Sequence, residues 1–301
     1  MTKKLPNKDP RLQVKKEIII KALEEKTQEY RDDILKTIWI YFKEERPKGV
    51  EEFLFEPYHY IVADTLEKVY KQEITRLIIN IPPGFGKTEL ITKHFPVHSL
   101  WRNPYLQIIV TWYSWTLTKG FSAEAKEIHE SPCFKKIFPR APQLSDTQNT
   151  KDHWQNTVWG SYYATGAWGP ITGKRANLLI IDDPIKPDEA DKSEVKRLGV
   201  NNWYDNTVIS RLFNPLSDAI IIIMQRTHEN DLCGHLIDKM DNWHGEDWEV
   251  VSLPAIAETY EEFDTSYWTV TRDEWVTLDS QRYPRAALDT IEASLWKTNF
   301  Y

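Results

Sequence analysis

The sequence predicts a three-layer α/β domain built on a mostly parallel sheet, and three observations carry that expectation. Short, continuous apolar runs alternate with stretches of helical periodicity, the pattern of strands buried on both faces of a parallel sheet. One run, 76–81, leads straight into a glycine-containing loop and then a helical stretch. Another, 178–182, ends in two acids and a proline.

The elements follow in order. Residues 1–11 are polar and read as a frayed end. Residues 12–45 are rich in charge, and Ile34, Ile38, Tyr41 and Phe42 are spaced as on a helix with one buried face. Pro47 and Gly49 break the pattern and place a linker at 46–50. Helix resumes over 59–72. Strands are expected at 76–81, 106–112, 157–164, 178–182, 219–225 and 248–252, with helices at 87–100, 115–129, 191–212 and 229–240 between them. The tail, 255–301, is acidic and aromatic, then helical from 285 to 296, and reads as a small lid-like subdomain. The expected division is a helical arm over 1–50, a core over 51–253 and the small subdomain over 254–301.

Composition narrows the classes of function. With 301 residues, 41% hydrophobic and 28% charged, the chain is neither disordered nor fibrous. The net charge is −7, so any nucleic-acid contact must be a local basic patch. Two cysteines, Cys133 and Cys233, make neither a disulfide framework nor a four-cysteine zinc site. The longest apolar run, 219–224, is far short of a bilayer span of about 20 residues. The first residues lack the apolar stretch of a signal peptide. A soluble intracellular protein is expected.

The loop after 76–81 reads Pro82-Pro83-Gly84-Phe85-Gly86-Lys87-Thr88-Glu89. Strand, glycine loop and helix stand in the order phosphate binding requires. The amides of Gly84, Gly86, Lys87 and Thr88 are placed to point at phosphates from a helix N-terminus. Lys87 is expected to reach the β- and γ-phosphates of ATP and Thr88 to ligate Mg²⁺. Ile81 stands where the usual Walker A pattern has its first glycine. The run 178–182 supplies the Walker B half: Asp182 is the expected Mg²⁺ partner and Asp183 the residue that polarises attacking water. A strand ending in a solvated Asp-Asp-Pro turn is the plain alternative. Together the two motifs predict a P-loop NTPase of the RecA-like (ASCE) kind.

Arg76 to Thr88 resembles the phosphate loop of large terminase subunits, the DNA-packaging ATPases of tailed bacteriophages. The Pro-Pro-x-x-Gly-Lys form is common in that family. Further blocks agree in order: Thr111-Trp112-Tyr113-Ser114; Ala164-Thr165-Gly166 to Gly173-Lys174-Arg175; Leu178 to Pro184 with Lys186; and Arg197 to Leu212, then Ile221 to Leu232. In the last segment Gln225, Thr227 and Asn230 depart from the family's usual Thr-Arg-Trp-His-Glu-Asp-Asp-Leu. The blocks cover roughly 55–300, and their joint order is what makes the resemblance specific.

The resemblance implies an ATPase motor that drives double-stranded DNA into a prohead through the portal protein. It implies a homo-oligomeric ring, taken as a pentamer, that is monomeric in solution, with a small terminase subunit as partner and no membrane. The expected location is the host cytoplasm, transiently on the prohead and not in the mature virion. The family's nuclease would begin beyond Tyr301, so it is expected on an absent domain or a separate chain, with no DNA cleavage by these residues. By the same likeness Gln225 links phosphate release to movement. An arginine acting on a neighbour's site maps to Arg175, with Arg211 and Arg226 as rivals. The adenine pocket maps to Glu56-Pro57-Tyr58-His59-Tyr60, with stacking by Tyr58 or simple helix-entry packing both open. Pro83 to Glu89 form the phosphate cradle.

Weaker features stand beside these. His228, Cys233 and His235 suggest zinc, but two helical ligands do not make a site. Trp112, Tyr113 and Trp115 sit at a strand end within reach of DNA, while most of the 13 tryptophans belong to the core. A two-lobed helicase needs a second RecA-like domain, and 253–301 is too short for one. A non-catalytic nucleotide-binding scaffold and a small-molecule kinase are the other rivals.

Overall fold

The apolar runs form the middle of one sheet. The computed structural model describes residues 28–45, 54–169, 171 and 173–295. Its parallel strands are β1 (Arg76–Asn80), β2 (Gln107–Trp112), β5 (Ser161–Gly166), β6 (Leu178–Asp182), β7 (Ala219–Met224) and β8 (Glu249–Ser252). An antiparallel pair, β3 (Leu144–Asn149) and β4 (His153–Asn156), extends one edge through β5. The order across the sheet is β3-β4-β5-β2-β6-β7-β1-β8.

Alternate residues of the central strands feed two apolar layers, as a strand's period of two requires. Leu77, Ile79, Val110, Ile180 and Ile221 face one layer, with the helices Ile34–Glu45, Pro57–Tyr70, Phe95–Arg102 and Trp115–Glu130. Ile78, Ile109, Leu179, Ile181 and Ile222 face the other, with helices Glu194–Trp203 and Leu232–Asp241. The expected three-layer α/β fold is therefore observed. Among the described residues no helix is long and apolar enough to cross a membrane.

The structure departs from expectation where local chemistry overrides pattern. The strand expected at 157–164 is broken. Oδ1 of Asn156 accepts from the amides of Val158 and Gly160 at 3.0 and 2.9 Å, closing a turn in which Trp159 has φ +78°. The strand starts only at Ser161. The hairpin β3–β4 lies outside the expected strands, because 144–156 is too polar to read as strand. The stretch 191–212 is not one helix. Ser193 stops Pro187–Lys192 and caps Glu194–Trp203 by accepting from the Lys196 amide, and a π turn and a 3-10 turn follow. The stretch 87–100 splits into a π-helical segment, Thr88–His94, and helix Phe95–Arg102. Pro132–Ile137 is a further short helix.

The first and last described segments are tied into the core. Ile34, Leu35 and Ile38 are buried with the first apolar layer, so this part of the N-terminal arm caps the sheet. Residues 1–27, the linker at 46–50 and residues 296–301 lie outside the described residues. After β8 the chain forms a hairpin, β9 (Glu261–Asp264) and β10 (Thr269–Arg272), then helix Arg285–Leu295. The Ser266 amide donates to Asp64 at 2.8 Å and the Tyr267 hydroxyl to Asp33 at 3.0 Å. Val270, Leu278 and Leu288 join the same apolar layer as the sheet.

Candidate nucleotide site

β7 lies between β1 and β6, and all three run the same way. Their C-terminal ends therefore deliver the phosphate loop, Gln225 and the Asp182–Asp183 pair to one edge, the edge at which open α/β sheets bind ligands. Backbone bonds continue past the strands and fix this edge. The Asp183 amide donates to the Ile223 carbonyl at 2.8 Å, and the Tyr113 amide to the Asp183 carbonyl at 3.0 Å.

The loop is held open from two sides. Gly84 and Gly86 have φ +87° and +72°, the left-handed region that side chains resist. A Cβ on Gly84 would also lie 2.3 Å from the Tyr283 hydroxyl oxygen. The Phe85 ring is buried and packs against Tyr283, with centroids 4.8 Å apart. From beneath, the Tyr58 hydroxyl donates to the Phe85 carbonyl at 3.1 Å. Tyr58 is 2% exposed and its ring lies 4.0 Å from that of His59. It thus supports the loop and has no open face for adenine, which corrects the stacking role in favour of packing. Ile81 is buried beneath the loop in the place of the missing glycine.

Lys87 and Asp183 meet at 2.7 Å, with Lys87 only 7% exposed. Asp183 has φ +39°, a conformation that Asp tolerates better than most residues. The Gln225 amide approaches Asp183 Oδ1 at 3.4 Å, so the strand end that carries Gln225 touches the same carboxylate. Asp182 is fully buried. Its Oδ2 accepts from the Thr92 hydroxyl at 2.5 Å and its Oδ1 has no partner. Burial first, and the charge of Asp183 second, push its carboxyl up to about 7, against Lys87 and the hydroxyls of Thr92 and Thr88. An unpartnered carboxylate oxygen, beside Thr88 at the start of the helix, is a donor set of the hard-oxygen kind that Mg²⁺ takes. The residues present therefore fit the cation.

The remaining candidates separate. The Glu89 carboxylate is taken up by Lys93, at 2.7 Å, and His94, at 3.3 Å. His94 and Lys93 hold it down at about 2, although burial alone would raise it. Its side chain is thereby turned from the cradle, which leaves only its backbone amide to that role. Arg226 is drawn into its own loop by Asp231 at 3.0 Å. Arg175 is exposed and precedes β6, so it stands at the edge of the sheet opposite Asp182. Beside it, the Ala176 amide donates to the Arg211 carbonyl at 2.8 Å, which puts both arginines at that edge. His228 Nδ1 accepts from the Asn230 amide, His235 pairs with Asp205, and Cys233 is buried, so the three do not converge.

Two contacts escape sequence reasoning. Thr92 follows Thr88 by four residues, so helical spacing was a usable signal for a second hydroxyl on the same face. Tyr283 carried none, since its partner Gly84 is remote in sequence.

A family model described as "Terminase large subunit, T4likevirus-type, N-terminal" matches residues 78–288. The crystal structure of the HK97 bacteriophage large terminase is similar, with a TM-score of 0.51 at 13% identity, over 88% of this chain and 54% of that one. The large terminase of a thermophilic bacteriophage, solved in complex with ADP, is more distant, with a TM-score of 0.35 at 11% identity, over 63% of this chain and 44% of that one. The chain thus spans about half the length of the solved large terminases it matches. No curated protein matches by sequence.

Proposed function

The chain belongs to the terminase large-subunit family, in its N-terminal ATPase part, and from that premise we propose that it hydrolyses ATP to drive double-stranded DNA into a prohead. The observation that carries this reading is the buried convergence of Lys87, Asp182 and Asp183 at one sheet edge, beneath a glycine loop. Lys87 rests on Asp183. An arriving triphosphate is the stronger partner for a lysine in a cradle of amides, and Lys87 moves to the β- and γ-phosphates. Asp183 is then released to orient the attacking water, which adds to the γ-phosphorus as the bond to the bridging oxygen breaks. Asp182 and Thr88 would hold Mg²⁺, which when bound neutralises charge on the phosphates.

The backbone N–H of Gln225 approaches the carboxylate that changes partner, so this strand end lies beside the change whatever its side chain, and the Gln225 side-chain amide is the proposed reporter of the γ-phosphate. Arg175 stands too far from its own chain's Asp182 to serve it. The β6 strand alone separates them by about 13 Å. It therefore completes the site of a neighbour in a homo-oligomeric ring, the pentamer on the portal, while the isolated chain is monomeric and slow. The small terminase subunit and a nuclease, on a further domain or another chain, are the expected partners. Action is in the host cytoplasm, on the prohead.

The test is ATP turnover by the purified chain, with Mg²⁺ or with EDTA, beside Lys87→Ala, followed by addition of portal-bearing proheads and DNA. Turnover that requires Lys87 and Mg²⁺ and rises with proheads is the expected result. Nucleotide binding without turnover under every one of these conditions would instead mean a scaffold.

A further inference from the structure

Thr92 is fully buried on the π-helical segment that follows the phosphate loop, and both of its polar groups are engaged outside that helix. Its hydroxyl donates its single proton to Asp182 Oδ2 at 2.5 Å. Its carbonyl accepts from the Tyr162 hydroxyl at 3.0 Å. Pro96, four residues on, has no N–H with which to form an α-helical bond to that carbonyl. Tyr162 is itself fully buried and stacked on Trp154, with centroids 5.1 Å apart and planes 10° from parallel. A rigid line of contacts thus runs from the β4–β5 pair through Thr92 to the Walker B carboxylate. The line ends on one oxygen of Asp182 and leaves the other, Oδ1, without a partner.

We infer that Thr92, held in place by Tyr162, is a positioning residue that fixes the rotation of the Asp182 carboxylate, so that Oδ1 is the oxygen presented to the divalent cation. The inference rests on the reading of Asp182 as a cation ligand. A carboxylate turns about its final bond over a broad, soft range, and in this pocket the close Thr92 hydroxyl pins Oδ2, while Thr88 and Lys87 also act on the group. Removing the pin leaves Oδ2 buried and unpaired, and the carboxylate turns toward whatever donor remains. The partners of metal ligands typically contribute about ten- to a hundredfold in metal affinity.

The experiment measures Mn²⁺ binding by paramagnetic resonance of the free ion, on the full chain with saturating ADP, and fluorescent-ADP binding in EDTA. Thr92→Val keeps the shape and removes the hydroxyl. It is expected to weaken Mn²⁺ by about tenfold or more while ADP binding in EDTA stays as in the parent chain. Thr92→Ser restores the hydroxyl and is expected to bind Mn²⁺ within about threefold of the parent, since the same bond is remade. Tyr162→Phe keeps the stacked ring and is expected to lie between the two. If Thr92→Val does not fold, Thr92→Ala carries the same comparison. Parental Mn²⁺ affinity in Thr92→Val, or equal loss in Thr92→Ser, overturns the inference. So does a parallel loss of ADP binding in EDTA, which marks a merely structural role. Failure of the parent chain to bind Mn²⁺ with ADP would instead defeat the reading of Asp182 on which it rests.

Discussion

The two ends of strand β6 are built to opposite standards. At the C-terminal end Asp182 is fully buried and bonded to Thr92, Asp183 is paired with Lys87, and backbone bonds to Tyr113 and Ile223 hold the turn. At the N-terminal end Arg175 is exposed, on a loop where Gly173 has φ +82°, and the exposed Phe213 bonds through its amide to the neighbouring Ala176. On the proposed reading, the difference separates what one chain supplies from what it leaves to another. Groups that bind phosphate and cation must be preorganised before the nucleotide arrives, and this chain fixes them by burial. A group that meets a neighbouring molecule must be presented, and burial would defeat it.

The sharpest break of this contrast is Arg175→Ala. In ring assemblies on proheads it is expected to lower turnover by about a thousandfold or more, the range found for arginines that act on a neighbour's site. Turnover of the dilute isolated chain should stay unchanged. A loss in the dilute chain would mean that Arg175 serves its own fold or site. At the other end, Asp183→Asn is expected to lower turnover by about a hundredfold or more in both states, since a general base contributes on that scale. Because the amide no longer pairs with Lys87, ADP should bind at least as tightly as before. Weaker ADP binding in that variant would show that Asp183 holds nucleotide rather than water.

Acid acts chiefly on the buried histidines of the scaffold; Asp182, whose carboxyl is raised by burial, takes up its proton in the folded chain and opposes their effect with a single group. Burial holds His59 and His98 down at about 3 and His129 at about 4, so all three are neutral in the folded protein near pH 5. In the unfolded chain they take up protons below about pH 6.5. The unfolded state therefore binds more protons, and stability falls as pH drops from about 6.5 toward the folded values. Each histidine contributes up to about 1.4 kcal/mol per pH unit in that window. Urea melts at pH 7, 6 and 5 check this, and a flat midpoint would contradict it. A smaller effect is expected for Gly84→Ala. The left-handed backbone and the Tyr283 contact together destabilise by about 1–3 kcal/mol, read as a lower urea midpoint. Pairing it with Tyr283→Phe, which removes the clashing oxygen, should recover part of the loss.

The same contrast explains what the sequence made legible. The buried end was readable, because apolar strands, glycine loop and terminal acids are local patterns dictated by burial and phosphate geometry. Lys87, Thr88, Asp182 and Asp183 were singled out that way, and the structure brings them to one edge. Contacts between remote segments were not readable. Tyr283 against Gly84, Tyr58 beneath Phe85 and Tyr162 on Thr92 arise only when the sheet is assembled. Tyr58 shows the cost of reasoning by position alone, since a tyrosine before the loop suits adenine stacking and loop support equally until its burial is known. The β3–β4 hairpin escaped for a different reason. Its residues are mostly polar because β3 is the outer strand of the sheet, and in the hairpin only Trp154 and Leu144 pack with the apolar layer, too few to set a pattern.

The central claim is that the C-terminal end of β6 is a nucleotide and cation site complete within one chain. Its most direct test is equilibrium binding of fluorescent ADP to the parent chain, Lys87→Ala and Asp182→Asn, each with Mg²⁺ and with EDTA. The account predicts binding that Lys87→Ala abolishes in both conditions. It predicts that Asp182→Asn abolishes only the part gained from Mg²⁺. Nucleotide binding that survives Lys87→Ala, or a Mg²⁺ gain that survives Asp182→Asn, would place the site elsewhere in the molecule.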